Sequence, residues 1–351
     1  MFTAGRVIYV QPLTGIYKGQ VFRSEIINAS SNTFKIKIPY HRGKIVLLPS
    51  GTMVKVEIPE SMSFLSEITS KTFLKGESCF ELTVPYQLTK AGKKHAPHII
   101  TVTSGKGGVG KSTLLINVAM ALSQQGMRVC IVDADLGTAN IDVLLNLNAK
   151  ASLQDLLRGN KNIFQIIMEG PCGSIIVPGT SGFQAPDFIT EAEVQKIINN
   201  LGLLERYVDL ILVDTSPGVL NNTMLFNQFA DYIIVLATPE PHAITDAYAA
   251  LKVLKDKKIH SKMGLVVNRV FSRSEAYDVS HRIVKAAQRF LSLDIIELGF
   301  VMEDPNVFKS VKRLCPCVLK YPHSPASQCY ENIASNLKRL LQWEKASLIV
   351  K

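Results

Sequence analysis

One stretch decides the fold: Ile99-Ile100-Thr101-Val102-Thr103-Ser104-Gly105-Lys106-Gly107-Gly108-Val109-Gly110-Lys111-Ser112-Thr113-Leu114-Leu115-Ile116-Asn117-Val118-Ala119. It begins with a short apolar run typical of a buried strand and ends with a longer apolar run typical of a helix. The four glycines in between let the backbone turn until its N–H groups converge on phosphate oxygens, and the helix adds the positive end of its dipole. The stretch therefore predicts a phosphate-binding loop between a strand and a helix.

Two side chains at the end of this loop have expected roles of their own. Lys111 is expected to reach the β- and γ-phosphates of a nucleotide, and Ser112 to place its hydroxyl on Mg²⁺. We expect the whole run Gly105–Thr113 to line the nucleotide.

Downstream of the loop, apolar strands alternate with helical stretches. Strands are predicted near Ile99–Thr103, Arg128–Val132, Ile175–Val177, Leu210–Val213, Ile233–Ala237, Gly264–Val267 and Ile295–Gly299. Helices are predicted near Lys111–Gln124, Glu191–Leu201, Ala243–Lys255, Glu275–Leu291 and Ala326–Glu344. This alternation is typical of a parallel sheet that helices cover on both faces.

Upstream of the loop, residues 5–88 alternate short β-rich runs with turn signals such as Pro49-Ser50-Gly51. They predict a small barrel of about five to seven strands. Small and charged residues then interrupt the pattern over 89–98, which predicts a linker. The predicted fold is thus an α/β P-loop NTPase domain at 99–351 with a doubly wound, mostly parallel sheet, preceded by a small all-β barrel domain at 1–88.

The composition is that of a globular protein: 47% of the 351 residues are hydrophobic and 19% are charged. No apolar run reaches the roughly 18 residues that span a bilayer, and the six cysteines have no disulfide-framework spacing, so we expect a cytoplasmic protein. The net charge of +10 is uneven, because residues 1–98 hold 13 Lys and Arg against 6 Asp and Glu. This basic segment favours nucleic acid, anionic lipid or an anionic ligand, or is simply a lysine-rich solvated face.

A second lysine, Lys106, directly follows the first glycine of the loop. Here the sequence resembles the deviant Walker A family, the MinD/ParA-type ATPases. In that family the extra lysine reaches across a homodimer to the partner's nucleotide and supplies positive charge to the transition state. The resemblance therefore implies a homodimer in the ATP state, with Lys106 and Lys111 as catalytic residues and ATP hydrolysis that is slow and dependent on dimerisation. A solvated loop lysine is the alternative.

The resemblance extends to three acidic residues at strand ends. Asp133 and Asp135 close the run Val129–Asp135, where the family keeps its first switch, and Asp214 closes the Walker B strand Leu210–Asp214. By this match Asp135 positions the attacking water, while Ser112, Asp133 and Asp214 hold Mg²⁺. Asp133 and Asp135 as plain helix caps are the alternative.

Two further segments complete the predicted site. Thr215, Pro217 and Gly218 match the second switch, in which glycine turns its N–H toward the γ-phosphate. Asn268, with Arg269 beside it, matches the position whose amide reads the adenine edge, which implies ATP rather than GTP. A strand-end asparagine that caps the next turn is the alternative.

The branch of the family is indicated by Thr238–Ala249 together with Pro322–Ser327, which resemble FlhG/FleN, the MinD-like ATPases that control flagellar number and placement. In the N-terminal segment, the runs Gly15–Val21, Lys37–Tyr40 and Lys44–Thr52 resemble the β-barrel that precedes PilZ in YcgR-like flagellar brake proteins. These resemblances imply flagellar assembly proteins as partners and give no reason to expect sequence-specific nucleic acid binding.

The C-terminal segment has two interpretations. Apolar residues recur at near-helical spacing, with Trp343 and basic residues among them: Ile333, Leu337, Leu340, Leu341 and Leu348, with Lys338, Arg339 and Lys345. The pattern fits an amphipathic helix at the inner face of the membrane, as MinD-like proteins expose with ATP, and equally a last helix packed on the sheet.

Other readings of the function stay open. A partition or division-site ATPase of the ParA/MinD kind, with nonspecific DNA binding, fits the positive charge. An iron–sulfur carrier ATPase shares the loop, but those carriers use a C-x-x-C pair, and a single residue separates Cys315 from Cys317. A tyrosine kinase of this loop family is disfavoured because no tyrosine-rich tail follows Trp343.

Overall fold

The computed structural model describes residues 4–13, 16–29, 33–41, 44–58, 62–74, 77–83, 97–135, 139–180, 189–205, 207–216, 218 and 221–349. The chain divides into two compact units, Met1–Lys94 and His95–Lys351.

The first unit is a closed antiparallel barrel in the strand order β1-β2-β3-β8-β7-β6. Its strands are β1 (Val7–Pro12), β2 (Phe22–Ala29), β3 (Thr33–Lys37), β6 (Met53–Ile58), β7 (Met62–Leu74) and β8 (Glu77–Thr83), with a separate hairpin of β4 (Tyr40–His41) and β5 (Lys44–Ile45). The barrel closes because β1 pairs with both β2 and β6, while the long β7 pairs first with β6 and then with β8. Alternate side chains such as Ile8, Val10, Phe34 and Ile36 point inward and form the barrel core.

The second unit is built on an eight-stranded sheet in the order β11-β12-β10-β13-β9-β14-β15-β16. These strands are β9 (His98–Thr103), β10 (Val129–Ala134), β11 (Met168–Glu169), β12 (Ile175–Val177), β13 (Leu210–Thr215), β14 (Tyr232–Ala237), β15 (Lys262–Val270) and β16 (Ile295–Met302). All pair in parallel except β11, which runs antiparallel to β12. The predicted fold class, a mostly parallel α/β sheet after an all-β barrel, is confirmed.

Helices cover this sheet. They are α1 (Lys111–Gln124), α2 (Ile141–Leu144), α3 (Leu153–Leu157), α4 (Ile163–Ile166), α5 (Glu191–Gly202), α6 (Asn221–Gln228), α7 (Pro241–Asp256), α8 (Arg273–Ala286), α9 (Pro305–Lys312), α10 (Cys317–Lys320) and α11 (Pro325–Ile349). The predicted helix that runs to Leu291 continues beyond α8 as a π-helical turn, Ala287–Leu291. Among the described residues, no helix combines the length and hydrophobicity that a bilayer crossing requires.

The core of the second unit lies on both faces of the sheet. Every residue of β10, β13 and β14 is buried, as expected for parallel strands under two helical layers. One apolar cluster lies under α1 and α11, and the other under α7 and α8.

The last helix contributes to the first of these clusters. Ile333, Leu337 and Leu341 are buried in it, and Leu340 packs against it half-buried. For these residues the packed-helix interpretation describes the structure. The side chains of Trp343, Lys345 and Leu348 lie outside the described residues, and membrane contact by this helix stays a prediction.

Candidate functional site

The glycine loop connects β9 to α1 at the carboxyl edge of the sheet, near its centre. Gly108 and Gly110 take left-handed conformations with φ of +76° and +98°, which explains the need for glycine at both positions. Gly110 is the N-cap of α1, and no side chain caps this helix. The first N–H groups of α1 are therefore not capped by a side chain, and they form the kind of terminus that binds an anion.

Two other elements press closely on the loop. A Cβ at Gly105 would lie 2.1 Å from the backbone oxygen of Asp246 in α7, and a Cβ at Gly110 would lie 2.6 Å from Nδ2 of Asn268. These glycines are thus required by packing as well as by loop conformation. The contact of α7 with the loop was not foreseen from the sequence, because glycine patterns do not show which element approaches them.

Lys111, Ser112 and Asp214 lie together beneath the loop. Lys111 is buried, and burial lowers its pKa, while the charges of Asp214 and Asp135 act in the opposite direction. Burial and then the charge of Asp133 raise the pKa of Asp214 to about 7, against a hydrogen bond from Ser112. The Oδ1 atom of Asp214 is buried without a hydrogen-bond partner. A buried carboxylate oxygen that lacks a partner, beside a serine hydroxyl, fits the hard oxygen ligands that Mg²⁺ prefers.

Asp133 faces Asp214 across the β10–β13 ladder. Its Oδ1 accepts a hydrogen bond from the N–H of Asp135 (3.2 Å), and its Oδ2 accepts from the N–H groups of Asn140 and Ile141 (both 2.9 Å). Burial is the main cause that raises its pKa to about 6. Asp133 therefore fixes the backbone at the start of α2, as in the helix-cap alternative, and a metal role for it stays a prediction.

The two predicted switch segments are joined by a side-chain hydrogen bond. The hydroxyl of Ser216 donates to Oδ1 of Asp135 at 2.8 Å. Nearby, the N–H of Gly218 donates to the backbone oxygen of Ser104 (3.1 Å), directly before the glycine loop. Ser216 was not singled out from the sequence, although it lies inside the switch segment, because only the fold brings it to Asp135.

Thr215 and Pro217 are the other two residues predicted for the second switch. The Thr215 hydroxyl donates to the backbone oxygen of Val102 (2.8 Å), which ties β13 to β9. The prediction for Pro217 lies outside the described residues.

The second lysine of the loop contacts α7. The Nζ atom of Lys106 lies 2.7 Å from Nε2 of His242, the second residue of that helix. Lys106 is half-buried rather than free in solvent. Within one protomer it is therefore held at the start of α7, and any reach toward a second protomer must break this contact.

Asn268 and Arg269 lie at the end of β15. The Nδ2 atom of Asn268 donates to the backbone oxygen of Val109 (2.7 Å), so one amide donor is committed to the glycine loop. Arg269 adopts a left-handed conformation with φ of +61°, which is uncommon for a residue with a side chain. The structure thus brings both residues to the loop, and their contact with adenine stays a prediction.

Cys315 and Cys317, next to the start of α10, do not both lie at the surface, where a second subunit could share them. Cys317 is fully buried, with its Sγ 3.6 Å from the Ser324 hydroxyl and 3.5 Å from that of Ser327. Cys315 is half-buried. A thiol directed into the core cannot be shared with a second subunit without repacking α10 against α11.

Taken together, the predicted residues meet at one edge of the sheet. Backbone N–H groups and Lys111 can hold phosphates, Ser112 and Asp214 can hold a divalent cation, and Asp135 can orient a polar group beside them. This set of groups supports phosphoryl transfer from a nucleoside triphosphate.

Comparison with known proteins agrees with this geometry. The family model described as ParA, "NUBPL iron-transfer P-loop NTPase", matches residues 95–338. Antiactivator FleN of Pseudomonas aeruginosa is 32% identical over 250 residues, which cover 71% of this chain and 89% of FleN. Flagellum site-determining protein YlxH of Helicobacter pylori is 33% identical over 246 residues, which cover 69% of this chain and 82% of YlxH.

A solved structure shows the same likeness. The septum site-determining protein MinD from Pyrococcus horikoshii, in complex with Mg-ADP, aligns with a TM-score of 0.58 at 26% identity, over 70% of this chain and 97% of that one. The family prediction made from the loop is confirmed by these matches. The chain belongs to the ParA/MinD family of P-loop ATPases.

Proposed function

We propose that this ATPase is a switch that dimerises around ATP and Mg²⁺ and that its output is the number or placement of flagella. The observation that carries the output is the identity of 33% with the flagellum site-determining protein YlxH over 246 residues. The identity of 32% with antiactivator FleN over 250 residues also supports it.

The residues of the chain suggest how the switch works. The N–H groups of the loop and Lys111 bind the phosphates, while Ser112 and Asp214 hold Mg²⁺, which offsets the negative charge of the phosphates when bound. Asp135, held by Ser216, orients the attacking water, and Lys106 leaves His242 to reach the partner's nucleotide. Asn268 and Arg269 favour adenine over guanine.

The barrel and the cellular location belong to the same proposal. The domain boundaries are 1–88 for a flagellar-brake-like barrel, 89–98 for the linker and 99–351 for the ATPase domain. The barrel adds a partner-binding or sensing function, and the protein works in the cytoplasm, peripherally at the inner face of the membrane.

The dimerisation of the switch is tested by measuring the molecular mass of the protein in solution. Asp135→Ala removes the carboxylate that orients water, so hydrolysis should fall by roughly 10²-fold and the ATP-bound dimer should accumulate. Light scattering with Mg-ATP should show twice the monomer mass for this variant. Lys111→Ala should bind no nucleotide and stay monomeric. The model would be contradicted if the mass of the Asp135→Ala protein did not change when ATP is added.

The output is tested by counting flagella on cells that lack the protein. We expect an altered number or position, restored by the wild-type chain and not by Lys111→Ala. Unchanged flagellation would count heavily against the proposal.

A second candidate is a role in positioning the division site or partitioning DNA, favoured by the likeness to a septum site-determining MinD. Cells lacking the protein would then show misplaced septa or lost DNA with normal flagella.

A further inference from the structure

One end of the N-terminal barrel differs from the rest of its surface. At this end β1, β3 and β7 end and β2, β6 and β8 begin, because each strand is antiparallel to its neighbours in the ladder. Residues 13–21 connect the first pair of strands, and residues 38–52 lead from β3 to β6. We name the described residues of these two segments the loop end.

The second segment closes the barrel from the loop end. Val46 and Leu48 are buried in the barrel core, while the alternating residues Ile45 and Leu47 are 47% and 56% exposed. Extended backbone sends successive side chains to opposite sides. Burial of one pair therefore forces the other pair into solvent.

The first segment meets the second at an aromatic contact. The ring of Tyr17 lies 5.7 Å from that of Phe22, and the Phe22 ring lies 5.7 Å from the His41 ring. Beside this anchored tyrosine, Ile16 is 87% exposed, and Val21 is 59% exposed. The aliphatic side chains of both segments thus belong to one end of the barrel.

Among the side chains of the first unit that the structure describes, the exposed aliphatic ones are concentrated at the loop end. Among the described residues of the first unit, the exposed large apolar side chains are Ile16, Val21, Ile45, Leu47 and Tyr9. Tyr9 alone lies on the side of the barrel, in the middle of β1. An exposed aliphatic cluster of this kind is costly in water and usually marks an interaction surface.

The two segments of the loop end are basic, although Glu77 begins β8 at the same end of the barrel. Residues 13–23 and 38–52 contain no Asp or Glu, and they contain Lys18, Arg23, Arg42 and Lys44. Lys37, which precedes the second segment, pairs with Glu25 at 3.5 Å. Lys18 and Arg23 are exposed. The loop end therefore joins exposed aliphatic side chains to a basic sequence.

We propose that the loop end docks on an anionic lipid bilayer. Its aliphatic side chains enter the boundary between headgroups and acyl chains, while Lys18 and the neighbouring Arg23 contact the headgroup phosphates. Single-stranded nucleic acid is matched less well, because it needs several exposed aromatic rings for base stacking, and the exposed large apolar side chains described here are aliphatic. Protein interfaces likewise favour aromatic anchors. This docking is separate from the last helix of the chain and from the ATP-dependent switch.

The test is sedimentation of the full-length protein with vesicles in the absence of ATP. Wild-type protein should sediment with phosphatidylglycerol vesicles, much less with phosphatidylcholine vesicles, and less at high salt. The double variant Ile16→Ser, Leu47→Ser should lower the vesicle affinity by roughly tenfold or more. It removes several methyl and methylene groups that would enter the bilayer. Tyr9→Ser, on the side of the same barrel, is the matched control and should bind as the wild type does.

The outcomes separate clearly. The substituted side chains are exposed, so the double variant should keep the wild-type unfolding temperature, and a loss of sedimentation then reports the surface itself. The proposal is overturned if wild-type protein stays in the supernatant, if it binds neutral and anionic vesicles equally, or if the double variant sediments as well as the wild type. Since ATP is absent, failure here leaves the proposed switch untouched.

Discussion

Asp133 and Asp214 place two carboxyl groups opposite each other in the core, on adjacent parallel strands. Burial raises both pKa values, to about 6 for Asp133 and about 7 for Asp214. Only Asp133 has backbone donors for both oxygens. The protein thus keeps a poorly compensated acid at Asp214, at a cost in stability that a bound cation would relieve.

The first prediction concerns the pH dependence of this cost. The folded-state pKa of Asp214 lies above the ordinary value of 3.8, so protonation favours the folded state. Its contribution to stability is fully present below about pH 4 and is lost as the pH rises through about 7. Asp214→Asn should therefore raise the free energy of unfolding of the nucleotide-free protein by about 1–3 kcal/mol at pH 8, and by much less at pH 5.

Urea unfolding at the two pH values, without nucleotide or Mg²⁺, measures the difference. Asp278→Asn, at an exposed position of α8, is the control and should change little. A gain from Asp214→Asn that is the same at both pH values would contradict the assignment of the penalty to a charged buried carboxylate.

The contact of Lys106 with His242 gives a second prediction at this scale. His242→Ala removes the partner that holds Lys106 within its own protomer, so the ATP-bound dimer should form roughly tenfold more tightly, which corresponds to about 1.4 kcal/mol. The dimer dissociation constant is best measured by light scattering in an Asp135→Ala background, where hydrolysis does not intervene. His260→Ala is the control, because this exposed histidine precedes β15 at the opposite edge of the sheet. A weaker dimer would mean that His242 supports the dimer instead.

At the scale of elements, the parallel strands of the sheet were predictable because strands buried on both faces leave continuous apolar runs in the sequence. The two-residue antiparallel strand β11 was missed. The helices α2, α3, α4 and α10 were missed, since four or five residues make little more than one turn and show no period. The eight-residue helices α6 and α9 were missed as well. For α11 the spacing predicted an apolar stripe, but it did not say what the stripe faces. An apolar helix face can pack on a sheet or enter a bilayer. Only the structure shows that Ile333, Leu337 and Leu341 pack in the core.

The close packing of α7 on the glycine loop gives the third prediction. Gly105→Ala would place a Cβ against the backbone oxygen of Asp246, which cannot move without shifting α7. We expect a loss of about 3 kcal/mol in stability, together with loss of ATP binding.

The control for this variant is Gly202→Ala, because a Cβ at Gly202 at the end of α5 meets nothing within 4 Å. Thermal unfolding and binding of a fluorescent ATP analogue report the two effects. A Gly105→Ala protein with wild-type stability and affinity would show that α7 does not press on the loop.

At the scale of the whole molecule, the residues of the site were predictable and their mutual contacts were not. Ser216 and Asp135 are 81 positions apart, and Lys106 and His242 are 136 apart. Motifs place each residue at a strand end, but side-chain pairs between strand ends depend on the sheet order, which a single sequence does not give.

The fourth prediction follows from the division into two units. All described contacts of the site lie within His95–Lys351, so this fragment alone should bind ATP with an affinity within about twofold of the full chain. Titration calorimetry with Asp135→Ala versions of both proteins measures this. An affinity that falls tenfold or more in a folded fragment would show that the barrel takes part in nucleotide binding.

The closure of the barrel limits how the binding surface of the first unit can evolve. A closed ladder offers no free strand edge, so an incoming chain cannot extend it by main-chain hydrogen bonds. Recognition by the barrel strands must therefore depend on side chains, chiefly those of the connecting loops, while the separate hairpin of β4 and β5 lies outside the closed ladder. Loop substitutions can therefore redirect the unit to a new binding surface while the hydrogen-bonded framework beneath them is inherited unaltered.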